Sequence, residues 1–200
     1  MTTAMTGTTI RATAGRRGQV TTYYTSFDSP VGELLLTADG TGTLDSLSVP
    51  GQKGGRTVGP GWRCAPELFK EAERQLAAYF ANELKEFDLE LRTNGTEFRE
   101  RVWNALDAVP YGTTTTYGEI AARIGASRVA VRAVGGAIGA NPLLIVRPCH
   151  RVIGADGSLT GYAGGLERKI RLLALEGRAP STPPAPSCGS AGDGRGSVPR

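Results

Sequence analysis

Apolar and polar positions alternate at two different periods along this 200-residue chain, and the change of period divides it. Tyr23 to Phe27 and Val31 to Thr37 are strand-like runs on either side of Asp28-Ser-Pro30, a turn signal. Asp39-Gly-Thr-Gly42 marks a second turn and residues 43–49 a third strand, before a Gly- and Pro-rich loop over 50–61. From Ala65 to Leu84 the period becomes helical, with Leu68, Ala72, Leu76 and Phe80 on one face. Phe87 to Leu91 alternates once more and predicts a strand.

Helices dominate the second half. Residues 96–109 carry an apolar stripe of Phe98, Val102, Leu106 and Val109 behind Thr96, a predicted N-cap, and Pro110-Tyr-Gly112 ends them. A short helix over Gly118–Ile124, a Gly125-Ala-Ser127 turn with Ser127 as N-cap, and a helix over Arg128–Gly139 form a helix-turn-helix pattern. Asn141-Pro142 breaks the chain. The apolar run Leu143–Val146 then predicts a buried strand ending at a corner fixed by Pro148. Residues 151–162 read as a hairpin or reversing loop. A last helix, Leu166–Glu176, is expected to face the core through Leu166, Ile170 and Leu173 and to stop at Gly177. The expected fold class is α+β. A small antiparallel sheet with a helix spans 23–92, and a mainly helical unit with the helix-turn-helix spans 93–177. Residues 1–22 and 178–200 have little to bury and are expected to be disordered tails.

Composition narrows the function. No run reaches the roughly 18 apolar residues of a membrane span, and residues 1–22 have no apolar segment of the secretory kind. Cys64, Cys149 and Cys188 are odd in number and widely spaced, so they make no disulfide framework; a reducing, cytoplasmic setting is expected. With a single His, a structural zinc site is not expected. Cys64 reads as structural and Cys188 as a bystander. The net charge of +4 is unevenly spread: residues 23–107 carry −5, residues 108–177 carry +4 and the two ends together +5. A basic second half suits a polyanionic partner.

The candidate chemistry lies in that half. The only histidine, His150, follows Cys149 in Pro148-Cys-His-Arg151. A thiol attacks as thiolate, and a neighbouring imidazole that takes its proton provides the activation. Neighbours on a strand point to opposite faces, so contact between the two needs a turn or a bridging water. A buried, inert Cys beside a core His fits the dipeptide alone equally well. Arg128–Gly139 is short of bulk at Ala130, Ala133, Gly135, Gly136, Ala137 and Gly139. That costs helix stability but permits close approach of another backbone. Glu176, a carboxylate in a last helical turn, opposes the helix dipole and needs a reason to be there.

From about Phe98 to Gly177 the chain resembles the O6-alkylguanine-DNA alkyltransferases. The resemblance rests on five motifs in order: Tyr117, Arg132-Ala-Val-Gly-Gly136, Asn141-Pro142 with Pro148-Cys-His-Arg-Val-Ile153, Tyr162-Ala-Gly-Gly165, and Leu175-Glu-Gly177. It implies a ribonuclease H-like first domain and a single-turnover transferase acting on duplex DNA. The alkyl group of O6-alkylguanine, and of O4-alkylthymine, would pass to Cys149. The resemblance assigns catalytic parts to Cys149, His150, Glu176, Asn141 and Tyr117. DNA contacts would come from Arg132 (the finger that replaces a flipped base), Tyr117, Ser127, Arg128, Ala133, Gly135 and Gly136. The base pocket would be made by Val152, Tyr162, Ala163, Gly164 and Gly165. No metal, cofactor, membrane or obligate protein partner is implied; a monomer is expected, with cooperative assembly along DNA left open.

Three departures stand out. Arg147 replaces a commonly apolar residue, which suggests a contact to phosphate or to an acid of the first domain. Ala163 replaces a Ser of some members, and the first domain lacks the zinc ligands of others. Competing readings are a lesion-binding module, disfavoured by Cys149; a cysteine hydrolase, for which no oxyanion site is evident; and a transcription regulator, disfavoured by the single helix-turn-helix.

Overall fold

Strands β1 (Tyr23–Ser29) and β2 (Gly32–Ala38) form the predicted hairpin, closed where Ser29 Oγ donates to Gly32 O at 2.6 Å. The computed structural model describes residues 21–178; most of both expected tails, Cys188 included, lies outside the described residues. Thr22 O accepts from Arg63 N, so ordered pairing reaches one residue further back than expected. β3 (Leu44–Ser48) pairs antiparallel with β2, and β4 (Arg63–Cys64), which the alternation did not reveal, adds in parallel to β1. The sheet order is β3-β2-β1-β4.

One helix, α1 (Lys70–Phe80), follows a single 3-10 turn over Pro66–Leu68. It ends earlier than its periodicity suggested because Asn82 takes a left-handed conformation, φ 66°. Its Leu76 and Tyr79 are fully buried. Residues 87–91 do not form the predicted strand. Gln75 holds Asp88 in both directions, Nε2 to Asp88 O at 2.7 Å and Asp88 N to Oε1 at 2.8 Å. Only Leu91 bridges, to Leu44.

The second half is built on α2 (Glu97–Asp107), α3 (Tyr117–Arg123) and α4 (Val131–Gly139), with α5 (Leu166–Leu175) closing it. Thr96 caps α2 as predicted, and α3 has a capping box between Thr116 and Glu119. Trp103 of α2 is buried and donates from Nε1 to Ala137 O at 2.8 Å, tying α2 to the glycine-rich α4. Ser127 makes no side-chain cap. A 3-10 turn over Arg128–Ala130 precedes α4, so Arg128 and Arg132 do not share one α-helical face. After the Cys-His motif the chain takes the reversing-loop alternative, with Gly154 N donating to Ser158 O at 2.8 Å, and no hairpin forms; β6 (Val152–Ile153) pairs in parallel with β5 (Thr115–Thr116).

α5 corrects the predicted inward face. Leu166 and Ile170 are exposed, at 45% and 36%, while Lys169, Leu172, Leu173 and Glu176 are buried. That i, i+3, i+4, i+7 set includes two charged residues, which an apolar count passes over. The apolar cores of the two halves meet: Leu47 N donates to Pro142 O and Leu144 N donates to Leu47 O. No helix among the described residues is long and apolar enough to cross a membrane.

Candidate active site

The run into Cys149 is not a strand. After the bridge from Leu143 to Leu47 the chain turns twice within six residues. Val146 N bonds to Leu144 O at 2.8 Å around Ile145, whose φ is 72°. This is a three-residue γ-turn of the rare type, and a positive φ is a strain for a β-branched side chain. A second three-residue turn follows, Cys149 N to Arg147 O at 2.8 Å around Pro148 at φ −79° and ψ 55°. Both turns are braced by buried Asn141. Its Nδ2 donates to Leu143 O, Arg147 O and Cys149 Sγ at 3.2, 3.1 and 3.1 Å, and its Oδ1 accepts from Leu143 N. An extended strand would bring none of these carbonyls to one amide. Cys149, His150 and Arg151 then form a 3-10 turn, all buried, which removes the opposite-face problem of strand neighbours.

Behind the thiol lies a polar cluster. His150 Nε2 donates to Glu176 Oε1 at 2.9 Å, and both side chains are fully buried. Arg151 grips the same carboxylate from Nε and Nη2, each at 2.9 Å, and its Nη1 donates to Val109 O. Tyr79 of the first half donates its hydroxyl to Glu176 Oε1 at 2.7 Å. Burial favours the neutral acid at Glu176, but the bonds from His150 and Arg151 outweigh it and bring the carboxyl to about 2. Glu176 is therefore ionised, the His150 proton sits on Nε2, and Nδ1 is the acceptor; Nδ1 is buried and makes no hydrogen bond. Burial lowers the His150 pKa, so the ring is neutral and able to take a proton.

Burial also pushes Cys149 up to about 11, opposed by the Asn141 bond and by the charges of Lys169 and Arg147. At neutral pH the resting group is a thiol that needs a base. Lys169, given no part from sequence, is buried and donates to Val152 O at 2.6 Å and Thr160 O at 2.7 Å; burial brings its pKa down to about 8. Arg147 neither faces solvent nor reaches the first half: it makes a two-pronged pair with Asp107 of α2, at 2.9 and 3.1 Å, and stacks over Trp103.

In front of the thiol is a cavity of about 130 Å³, lined by Tyr117, Gly135, Ile138, Gly139, Cys149, Gly161, Tyr162 and Ala163. Engineered cavities of roughly 150 Å³ hold one benzene, so this one matches a single six-membered ring. Tyr117 Oη donates toward Thr160 O and Gly161 O at 3.2 and 3.3 Å, fixing the far wall. Burial raises the pKa of Tyr117 and raises that of Tyr162 strongly. Of the residues expected in the pocket, Tyr162 and Ala163 line it. Val152 lies behind it in β6 with its carbonyl bound to Lys169, and Gly165 starts α5. Gly164 packs beneath, where an added Cβ would stand 2.8 Å from the Tyr162 ring and 3.2 Å from Leu144 and Val49. Ile138, Gly139 and Gly161 were not foreseen as lining; the glycine-rich helix and the Gly next to Tyr162 were the available signals.

Ser127, Arg128, Arg132, Ala133 and Gly136 are exposed around the start and outer side of α4. A Cβ on Gly136 or Gly139 would meet nothing within 4 Å. No cluster among the described residues has the His, Cys, Asp and Glu needed to hold a metal ion.

Comparison with known proteins agrees for both halves. The family model for the DNA binding domain of 6-O-methylguanine DNA methyltransferase matches residues 97–178, and that for its ribonuclease-like domain matches residues 22–93. A methylated-DNA–protein-cysteine methyltransferase of Methanosarcina acetivorans is 54% identical over 155 residues, covering 78% of this chain and 98% of its own. The protein of that name from Mycolicibacterium paratuberculosis is 55% identical over 157 residues, covering 78% and 92%. Among solved structures, Mycobacterium tuberculosis OGT in complex with DNA has a TM-score of 0.73 at 52% identity, covering 79% of this chain and 95% of that one. The buried Cys-His-Glu cluster thus sits in a chain whose two halves are both matched, in order, and the chain belongs to the 6-O-methylguanine DNA methyltransferase family.

Proposed function

We propose that the protein repairs DNA by moving a methyl group from O6 of guanine in a duplex to Cys149 Sγ, once per molecule. Family membership supplies the reaction. The observation that carries it for this chain is Cys149 lining a cavity that accepts the alkylated six-membered ring of the base, with the His150–Glu176 pair 2.9 Å apart behind it.

The modified base is unreachable while stacked, so it is extruded at a cost of a few kcal/mol. Arg132, exposed at the start of α4, takes its place in the stack, while Ser127, Arg128 and Ala133 lie along the backbone. Gly135 and Gly136 allow the helix to press into the minor groove, where sequence is poorly distinguished. That suits a protein that must act at any sequence.

In the pocket, Asn141 holds Sγ in line. The thiol proton passes through a water to His150 Nδ1, and Glu176 stabilises the imidazolium. Sγ forms a bond to the methyl carbon as the bond from carbon to O6 breaks. The released electron pair stays on guanine, which takes a proton from the Tyr117 hydroxyl; Tyr117 regains a proton from solvent and His150 gives up the one it took, so no net charge is left. The thioether is not hydrolysed, so the protein is consumed. O4-methylthymine presents the same methyl on a single ring and is a second substrate. The protein works as a monomer in the cytoplasm, where the free thiols of Cys64 and Cys149 stay reduced.

The test is the mass of the intact protein and its peptides after mixing with duplex DNA bearing one O6-methylguanine. One methyl per protein on the Cys149 peptide, without turnover, is expected. Tight binding to the lesion with no change in mass would leave a lesion sensor in place of a transferase.

A further inference from the structure

Tyr79 is the one member of the buried cluster that comes from the first domain, a domain to which nothing so far gives a part in the chemistry. It is completely buried and donates its hydroxyl to Glu176 Oε1 at 2.7 Å across 97 residues of sequence. Oε1 also accepts from His150 Nε2 and Arg151 Nη2, while Oε2 accepts from Arg151 Nε and, at 3.3 Å, from Gly112 N. The ring is clamped by Phe80, Phe87 and Tyr111, with centroids 5.4, 5.2 and 6.1 Å away, so the hydroxyl has one place to be. Packing alone would be served by phenylalanine. The hydroxyl is there for the carboxylate.

We propose that Tyr79 is a positioning residue of the alkyl-transfer reaction: its hydroxyl fixes the Glu176 carboxylate against His150 and shares its negative charge, and so sets how strongly His150 draws the proton from Cys149. The inference rests on the relay proposed above. It makes the first domain a working part of the proton path. A hydrogen bond that the carboxylate accepts from a tyrosine draws charge it would otherwise offer to the imidazole. Removing the hydroxyl leaves Glu176 a stronger partner for His150, stabilises the imidazolium and makes the ring easier to protonate. Removing the carboxylate does the reverse. The other groups facing this pair are Arg151 and Cys149 on the 3-10 turn, Tyr111 after α2, Lys169 on α5 and Tyr162 against the His150 ring edge. None of them changes in the variants below.

The experiment is the single-turnover rate of methyl transfer from duplex O6-methylguanine as a function of pH, for the full chain and its Tyr79→Phe and Glu176→Gln variants. For Tyr79→Phe the carboxylate loses its fixed place, which outweighs the gain in basicity, and we expect a plateau rate lower on the order of tenfold, a part of the roughly 10²–10⁴ that a positioned proton acceptor provides. We also expect the acid limb of the profile to move to higher pH; in Glu176→Gln it moves to lower pH. A merely structural tyrosine would scale the rate equally at all pH, so an acid limb of Tyr79→Phe that coincides with wild type overturns the proposal. His150 is the sole histidine, so its ¹⁵N and Nε2–H signals can be followed without assignment. The Nε2–H signal moves downfield in Tyr79→Phe, and an unmoved signal overturns the proposal without reference to activity. A 3-fluorotyrosine at position 79, which keeps the ring and donates more strongly, moves the limb the other way and keeps the test open if Tyr79→Phe folds poorly. Failure of the underlying relay looks different: the wild type itself would not methylate Cys149.

Discussion

The two sides of Cys149 are built on opposite plans. Behind it, Glu176, Arg151, Tyr79 and Asn141 are buried and bonded to one another or to backbone, and the carboxylate alone takes bonds from four residues. In front, glycines, an alanine and two tyrosine rings leave space, and the arginines of the α4 region stand free in solvent. Proton handling needs fixed dipoles shielded from bulk solvent, which the protein builds before any DNA binds. On the proposed function, holding a base cannot be completed before the DNA arrives, and the residues that would do it are left small or unsatisfied. Stability should therefore depend on the back, and reaction with duplex on the front.

The sharpest break comes from Glu176→Ala. It leaves the Arg151 charge buried without its partner, a loss of about 3–5 kcal/mol, to be read as a drop in the urea midpoint. A midpoint within error of wild type would mean the back is not a stability element. Acid should act through the same residue. Glu176 ionises near 2 in the fold against 4.5 when free. Its contribution is thus complete above pH 4.5 and lost as pH falls toward 2, roughly 3 kcal/mol at most. Melting of wild type and Glu176→Gln at pH 7 and 3 should show a smaller acid-induced fall in the variant.

Arg132→Ala probes the front. Its unfolding free energy, from urea titration, should stay within about 0.5 kcal/mol of wild type. Its rate on duplex O6-methylguanine should fall roughly tenfold, the cost of leaving the unstacked gap unfilled, while reaction with a free O6-alkylated guanine base is unchanged. Equal losses on both substrates would take the finger away from Arg132. The smallest effect belongs to Gly136→Ala. The site is exposed with room for a Cβ, so the helix should gain about 0.5–1 kcal/mol, while DNA affinity, measured by titration with labelled duplex, weakens. Unchanged affinity would mean that the backbone does not lie against the duplex there.

The sequence carried the site's inventory better than its geometry. Cys149, His150, Asn141 and Glu176 were legible because they fall in local motifs, and the first hairpin because Asp28-Ser-Pro30 is a strong turn signal. Leu143–Val146 misled, because an apolar run looks the same whether it is extended or wound into two three-residue turns by one asparagine six residues from the carbonyl it holds. Lys169 was invisible for a related reason: a lysine on a helix is normally solvated, and only the fold reveals the carbonyls of Val152 and Thr160 waiting for it. Tyr79 could not be found from pattern at all. It reads as one more apolar position of α1, and its partner lies 97 residues away.

That long reach has a consequence for how the protein comes into being. A ribosome makes Tyr79 first, then Cys149 and His150, and Glu176 only after them. Until Glu176 has emerged and α5 has docked, the imidazole has no carboxylate to steady the charge it gains when it takes a proton, and the path that activates the thiol does not exist. A nascent or truncated chain therefore carries a cysteine but no armed one, and a protein that can be spent only once is not spent before it is complete.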